Sequence, residues 1–144
     1  MAYASSSTHA SFPDYNRDQM TMYNAIVSAA NQAMQDNTEL NILIPSGTAI
    51  QNGRTSFLGD AFNRDGYHLE VTYGRYTAAC TWFEAIFRQT VVGNSYAPQT
   101  IDPQIVKIAQ NAAHLAVVKP DAVTDMVDFV KTETISGELK TPIY

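Results

Sequence analysis

An aspartate three residues ahead of a histidine, in Asp65-Gly66-Tyr67-His68, is the spacing in this chain best suited to proton chemistry. Gly66 can tighten the turn between them, because a residue without a Cβ enters left-handed backbone without strain. A carboxylate that accepts a hydrogen bond from one ring nitrogen fixes the imidazole tautomer and stabilises the imidazolium. The other nitrogen is then placed to take a proton from a hydroxyl. Asp65 and His68 are therefore the candidate catalytic residues, as orienting acid and general base. A motif this short has a plainer reading too, a polar turn carrying an exposed histidine.

The elements on either side have to hold that turn. Upstream, Met22, Tyr23, Ile26, Val27, Ala30, Ala33 and Met34 recur at helical spacing behind the capping candidates Asn16 and Asp18, and Asn37 ends the pattern. The run Leu40-Asn41-Ile42-Leu43-Ile44, closed by Pro45-Ser46-Gly47, has the length and apolar content of a buried strand in a parallel sheet. Residues 48–54 suit a short helix, and residues 55–69 an ordered loop punctuated by Gly59, Asn63 and Gly66. Thr72 is placed to cap a helix whose Tyr76, Cys80, Phe83 and Phe87 share a stripe, with Gly74, Ala78 and Ala79 permitting close approach. Asp102-Pro103 opens another, with Ile105, Ile108, Ala112 and Leu115 on its buried face, and Lys119-Pro120 interrupts it. A shorter amphipathic segment carries Val123, Met126, Val127 and Val130, ahead of a polar tail over residues 131–144. One strand does not make a sheet, so either residues 1–6 supply a second or the partners lie upstream.

Composition removes several function classes. At 45% hydrophobic content, 144 residues can bury a real core. A net charge of -5 with scattered Lys and Arg disfavours nucleic acid. No run reaches the roughly 18 apolar residues that span a bilayer, and residues 1–11 lack the pattern of a signal peptide. The single cysteine, Cys80, cannot form an intrachain disulfide, so the compartment stays open. His9, His68 and His114 are too dispersed for a dedicated metal site, and no cofactor is expected.

Longer strings make the motif more specific. Ile44-Pro45-Ser46-Gly47-Thr48-Ala49-Ile50-Gln51-Asn52-Gly53-Arg54, the Asp65 to His68 motif with Leu69, and Tyr73-Gly74-Arg75-Tyr76-Thr77-Ala78-Ala79-Cys80-Thr81-Trp82-Phe83 closely resemble a bacterial SGNH/GDSL-like family, the DUF4886 domain. Ala2-Tyr3-Ala4 and Asp18-Gln19-Met20-Thr21-Met22-Tyr23 resemble the stretch before them, so the likeness runs over roughly residues 2–118. It implies an α/β fold, a partial α/β/α, flavodoxin-like parallel-sheet sandwich with a helix-rich C-terminal part. It also implies a Ser-His-Asp arrangement in which His68 is the base and Asp65 its partner. Residues 1–118 would be the C-terminal portion of such a hydrolase domain and residues 119–144 an extension of unknown role.

The family's nucleophile is the departure. Its serine lies in a Gly-Asp-Ser-like or Gly-Asn-Ser-like block near the start of the domain, and none is found there. Gly59-Asp60-Ala61 has alanine at the critical place. Gly93-Asn94-Ser95 follows the helix that should close the domain and reads as a loop turn, and Ser46 reads as a turn or cap residue. The glycine and asparagine of an oxyanion hole are not identifiable either. Arg54 and Arg75 could hold a substrate carboxylate or form structural ion pairs. Tyr73, Tyr76, Trp82 and Phe83 fit core better than a sugar platform, His9 fits a solvated loop, and His114 a surface or boundary position.

The expected function is the acid–base half of an ester hydrolase, an esterase or carbohydrate deacetylase acting on a small-molecule or carbohydrate ester and nearly inactive without the serine block. A non-catalytic remnant or interaction protein is the alternative, and self-association through an exposed sheet edge is one expectation for partners. Localisation stays open: export of full-length relatives is compatible with this reading, and any leader would lie upstream.

Overall fold

The computed structural model describes residues 10–66 and 68–129, so the expectations placed on residues 1–6, on His9 and on residues 131–144 lie outside the described residues. Asp18 starts the first helix, α1 (Gln19–Asp36), by accepting hydrogen bonds from the Thr21 amide at 2.6 Å and the Thr21 hydroxyl at 2.7 Å. Those bonds hold the Asp18 carboxyl below its ordinary range. Asn37 ends the helix, its side-chain amide donating to the Ala33 carbonyl at 2.8 Å. The next helices are α2 (Ser46–Arg54) and α3 (Tyr73–Phe87). The last, α4 (Pro103–Val118), begins as its residues dictate: the Asp102 carboxylate accepts from the Gln104 amide at 2.7 Å, and Pro103 occupies a position whose missing N–H is no loss. Short 3-10 turns lie at Pro13–Tyr15 and Gly59–Phe62.

Helix α4 organises the core by burying two faces at once. Ile108 and Ala112, four residues apart, join Phe12, Met22, Ile50, Phe62 and Met126. Ala109 and Ala113, one position on, join Tyr76, Cys80, Val91 and Ile101. Alanine at three of those four positions leaves room for α2 and α3 to approach α4 closely, and both pack along it, whereas α1 touches α2 more lightly. Thr77 and Thr81, fully buried in α3, satisfy their hydroxyls by donating to the carbonyls of Tyr73 at 2.8 Å and Thr77 at 2.9 Å.

The parallel-sheet sandwich expected from the sequence is contradicted by the described residues, which are helical. The described residues contain four helices, no strand and one isolated antiparallel bridge, Asn63 to Leu69. Residues 40–44 carry no regular structure, and the amides of residues 41–44 make no hydrogen bond among the described residues. A strand exists only through its ladder with a neighbour, which the apolar run alone cannot supply. No described helix is long and apolar enough to cross a membrane.

Beyond α4 the chain folds back over α2. The Thr48 hydroxyl donates to the Pro120 carbonyl at 2.6 Å, the Thr124 amide to Asn52 Oδ1 at 2.7 Å, and the Met126 amide to the Thr55 hydroxyl at 2.7 Å. These bonds carry Met126 into the core. Residues 121–129 form turns and irregular backbone rather than a helix.

Candidate functional site

The turn bearing Asp65 and His68 is closed at its base by main-chain hydrogen bonds. The Arg64 amide donates to the His68 carbonyl at 3.0 Å, and the Glu70 amide to the Phe62 carbonyl at 2.8 Å. Gly66 takes φ +91 at the tip, a conformation costly for a side chain with a Cβ. Within this frame one Asp65 oxygen accepts the His68 amide at 2.8 Å, and the other lies 2.6 Å from His68 Nδ1. One carboxylate therefore fixes both the backbone and the ring of the histidine. With Nδ1–H donating to Asp65, the basic lone pair of the neutral ring is at Nε2. Asp65 and His68 are 45% and 44% exposed, and the Arg64 Nε lies 3.9 Å from the Asp65 carboxylate. The arrangement can orient an imidazole and fix its tautomer.

Glu70 anchors the site to the core. Its carboxylate accepts from the Thr72 amide at 2.8 Å, from the Thr72 hydroxyl and from the Gly74 amide at 3.2 Å, so the start of α3 is satisfied by Glu70 rather than by the Thr72 side chain. A Cβ on Gly74 would meet the Phe62 carbonyl oxygen at 2.9 Å, so only glycine lets α3 lie this close to the base of the turn. The Tyr73 ring meets Phe62 edge-on at 5.4 Å, and its hydroxyl donates to the Ala61 carbonyl at 2.9 Å.

The other candidates have structural roles or stand apart. Arg54 is an ion-pair residue, its Nε donating to Asp60 at 2.9 Å and a terminal nitrogen to Gln51 at 3.0 Å. Gly93-Asn94-Ser95 is a turn, in which Gly93 has φ +82 and donates to Gln110 Oε1 at 3.0 Å. Ser46 begins α2 with its hydroxyl buried and unpartnered among the described residues. Tyr76 is core, and burial pushes its hydroxyl up to about 12. Trp82, expected in the core, is instead 55% exposed.

Two cavities lie elsewhere. One of about 220 Å³ runs between α1 and residues 43–48, with Trp82 on its wall. Another of about 340 Å³ is lined by Tyr76, Cys80, Phe83 and Tyr96. Neither is lined by Asp65 or His68. No group of three or more His, Cys, Asp or Glu that could hold a metal ion occurs among the described residues.

Long-range polar contacts escaped sequence reasoning. Glu84 of α3, nearly buried, receives His114 Nδ1 of α4 at 2.6 Å and the Val91 amide at 2.9 Å. Gln110 donates to the Tyr76 hydroxyl and the Asn94 carbonyl, both at 2.9 Å. Asn52, fully buried, donates to the Ala112 carbonyl at 3.2 Å and accepts from Thr124. The available signal was a polar residue inside an apolar helical face, as Asn52 is beside Ala49 and Ile50 and Gln110 beside Ala109 and Ala113.

Comparison with known proteins adds identity to this geometry. Residues 1–116 match a protein-family description that reads "Domain of unknown function (DUF4886)". A crystal structure of a DUF4886 family protein from Bacteroides uniformis is 54% identical, with a TM-score of 0.82 over 87% of this chain. The match covers 48% of that protein, so the chain spans about half the length of its solved relative. No curated protein matches. The chain belongs to the DUF4886 family.

Proposed function

We propose that this chain carries the acid–base half of an SGNH-type serine ester hydrolase, with His68 as general base and Asp65 as its orienting carboxylate. The observation that carries the reading is the doubly anchored histidine, whose amide and ring are both held by Asp65 at 2.8 and 2.6 Å. In the reaction His68 Nε2 takes the proton of a serine hydroxyl as the oxygen attacks the ester carbonyl. The imidazolium, stabilised by Asp65, returns that proton to the departing alkoxide. Water, deprotonated by the same nitrogen, then releases the acid and regenerates the serine. The serine and the oxyanion donors would come from polypeptide other than the described residues, so the chain alone is expected to be nearly inactive. An ester of a carbohydrate or another small molecule is the substrate class.

The test is a chimera in which residues 1–116 replace the matching portion of the Bacteroides uniformis relative. Covalent labelling by a fluorophosphonate and hydrolysis of an aryl acetate are followed in parallel. His68→Ala should lower both at least about 10³-fold, and Asp65→Asn by a similar order through the wrong tautomer. Labelling and hydrolysis that survive His68→Ala would end the proposal. A binding role without catalysis is the second reading, favoured by one observation: the apolar groove beside α1 is not lined by Asp65 or His68.

A further inference from the structure

The isolated bridge between Asn63 and Leu69 decides which side chains of the turn share a side. One step toward the tip, the Arg64 amide donates to the His68 carbonyl at 3.0 Å, so Arg64 and His68 stand directly opposite each other. Along each limb of such a pairing successive side chains alternate, and opposed residues fall on one side. Leu69 packs against the core and the Asn63 side-chain amide is buried, which puts the Arg64 guanidinium and the His68 imidazole together on the outward side. Both are nearly half exposed, and both turn toward one oxygen: Asp65 Oδ2 lies 2.6 Å from His68 Nδ1 and 3.9 Å from Arg64 Nε.

The second of those distances is too long for a hydrogen bond, and the Arg64 side chain makes none among the described residues. Asp65 spends its oxygens on the amide and the ring of His68 instead. Arg54 is the contrast, a guanidinium held in place by Asp60 and Gln51. A planar fork of donors left open beside the proton-accepting ring matches a carboxylate, which takes two parallel N–H bonds. One cation with Asp65 close by suits a single negative charge better than the double charge of a phosphate.

We propose that Arg64 is a specificity-determining residue of the Asp65 and His68 site, holding a carboxylate that the substrate carries beside the ester bond served by His68. The ester part rests on the hydrolase reading, whereas carboxylate binding is read in the chain by itself. The full chain is titrated at constant pH with glucuronate and, at matched ionic strength, with glucose, while NMR follows the Arg64 amide and the His68 ring. Glucuronate should shift both signals saturably, and glucose neither. Arg64→Gln should weaken the glucuronate response at least about threefold, and Arg64→Lys should keep part of it. In the chimera carrying residues 1–116, Arg64→Gln should raise KM for 4-carboxyphenyl acetate at least about threefold and leave its kcat, and both constants for phenyl acetate, unchanged. A chain that answers glucose and glucuronate alike, a glucuronate response untouched by Arg64→Gln, or a KM that rises equally for the two esters would each overturn the proposal. An Arg64-dependent glucuronate response alongside a chimera without esterase activity would support the carboxylate site and count against the hydrolase reading.

Discussion

The Glu84 carboxylate ties α3 to α4, with one oxygen 2.6 Å from His114 Nδ1 and the other accepting the Val91 amide at 2.9 Å. Glu84 is 8% exposed and His114 37%, so the acid is the member that cannot be lost to solvent. Glu84→Ala would leave the Val91 N–H, in the buried residue that follows α3, without its acceptor. The expected cost is about 1–3 kcal/mol in urea unfolding. His114→Ala should cost less, about 1 kcal/mol, because Glu84 keeps the Val91 bond.

Gly74 controls how closely α3 approaches the turn that carries Asp65 and His68. In Gly74→Ala the new methyl would press on the Phe62 carbonyl, the acceptor that closes the turn through the Glu70 amide. The variant should lose about 1–3 kcal/mol of stability, and the Glu70 amide should exchange faster than in the parent. Normal exchange at that amide would mean that the contact relaxes elsewhere.

Asn52 is a polar pin between α2, α4 and the segment after α4, and it has no exposure to water. Asn52→Leu keeps the branching of the side chain but adds bulk at a fully buried position and removes the acceptor of the Thr124 amide. We expect about 1–3 kcal/mol of destabilisation and loss of exchange protection at Thr124, with the helices retained by circular dichroism.

Alkaline pH should weaken the fold. Burial pushes the Cys80 thiol up to about 11 from an ordinary 9.0, and the Tyr76 hydroxyl up to about 12 from 10.0. Both groups hold their protons more tightly folded than unfolded. Their contribution is therefore fully present below pH 9 and falls as pH rises through the range 9 to 12. The melting temperature should drop steadily over that range, and Cys80→Ala should flatten its lower part. Cys80 should also resist alkylation at pH 8 until denaturant is added.

Local chemistry was legible in the sequence, and long-range pairing was not. Asp102-Pro103 and Asp18 announced α4 and α1 because capping is settled within three residues. The Asp65 to His68 contact was readable for the same reason, since three residues and a glycine bring the groups together. Residues 40–44 misled because an apolar run of five specifies burial without specifying a hydrogen-bonded neighbour. Thr72 looked like a cap, yet the Glu70 carboxylate reaches the same amides from two residues earlier. The Glu84 to His114 pair spans 30 residues and depends on how α3 crosses α4, which periodicity does not encode.

Nitrogen NMR of the His68 ring tests the central claim most directly, because it reads which atom carries the proton in the chain as it stands. At a pH where the ring is neutral, Nδ1 should be protonated and Nε2 should give the signal of an unprotonated ring nitrogen, as donation to Asp65 requires. Asp65→Asn should reverse the two, since an amide can donate to Nδ1. An Nε2-protonated ring in the parent chain, or a tautomer mixture insensitive to Asp65→Asn, would contradict the account.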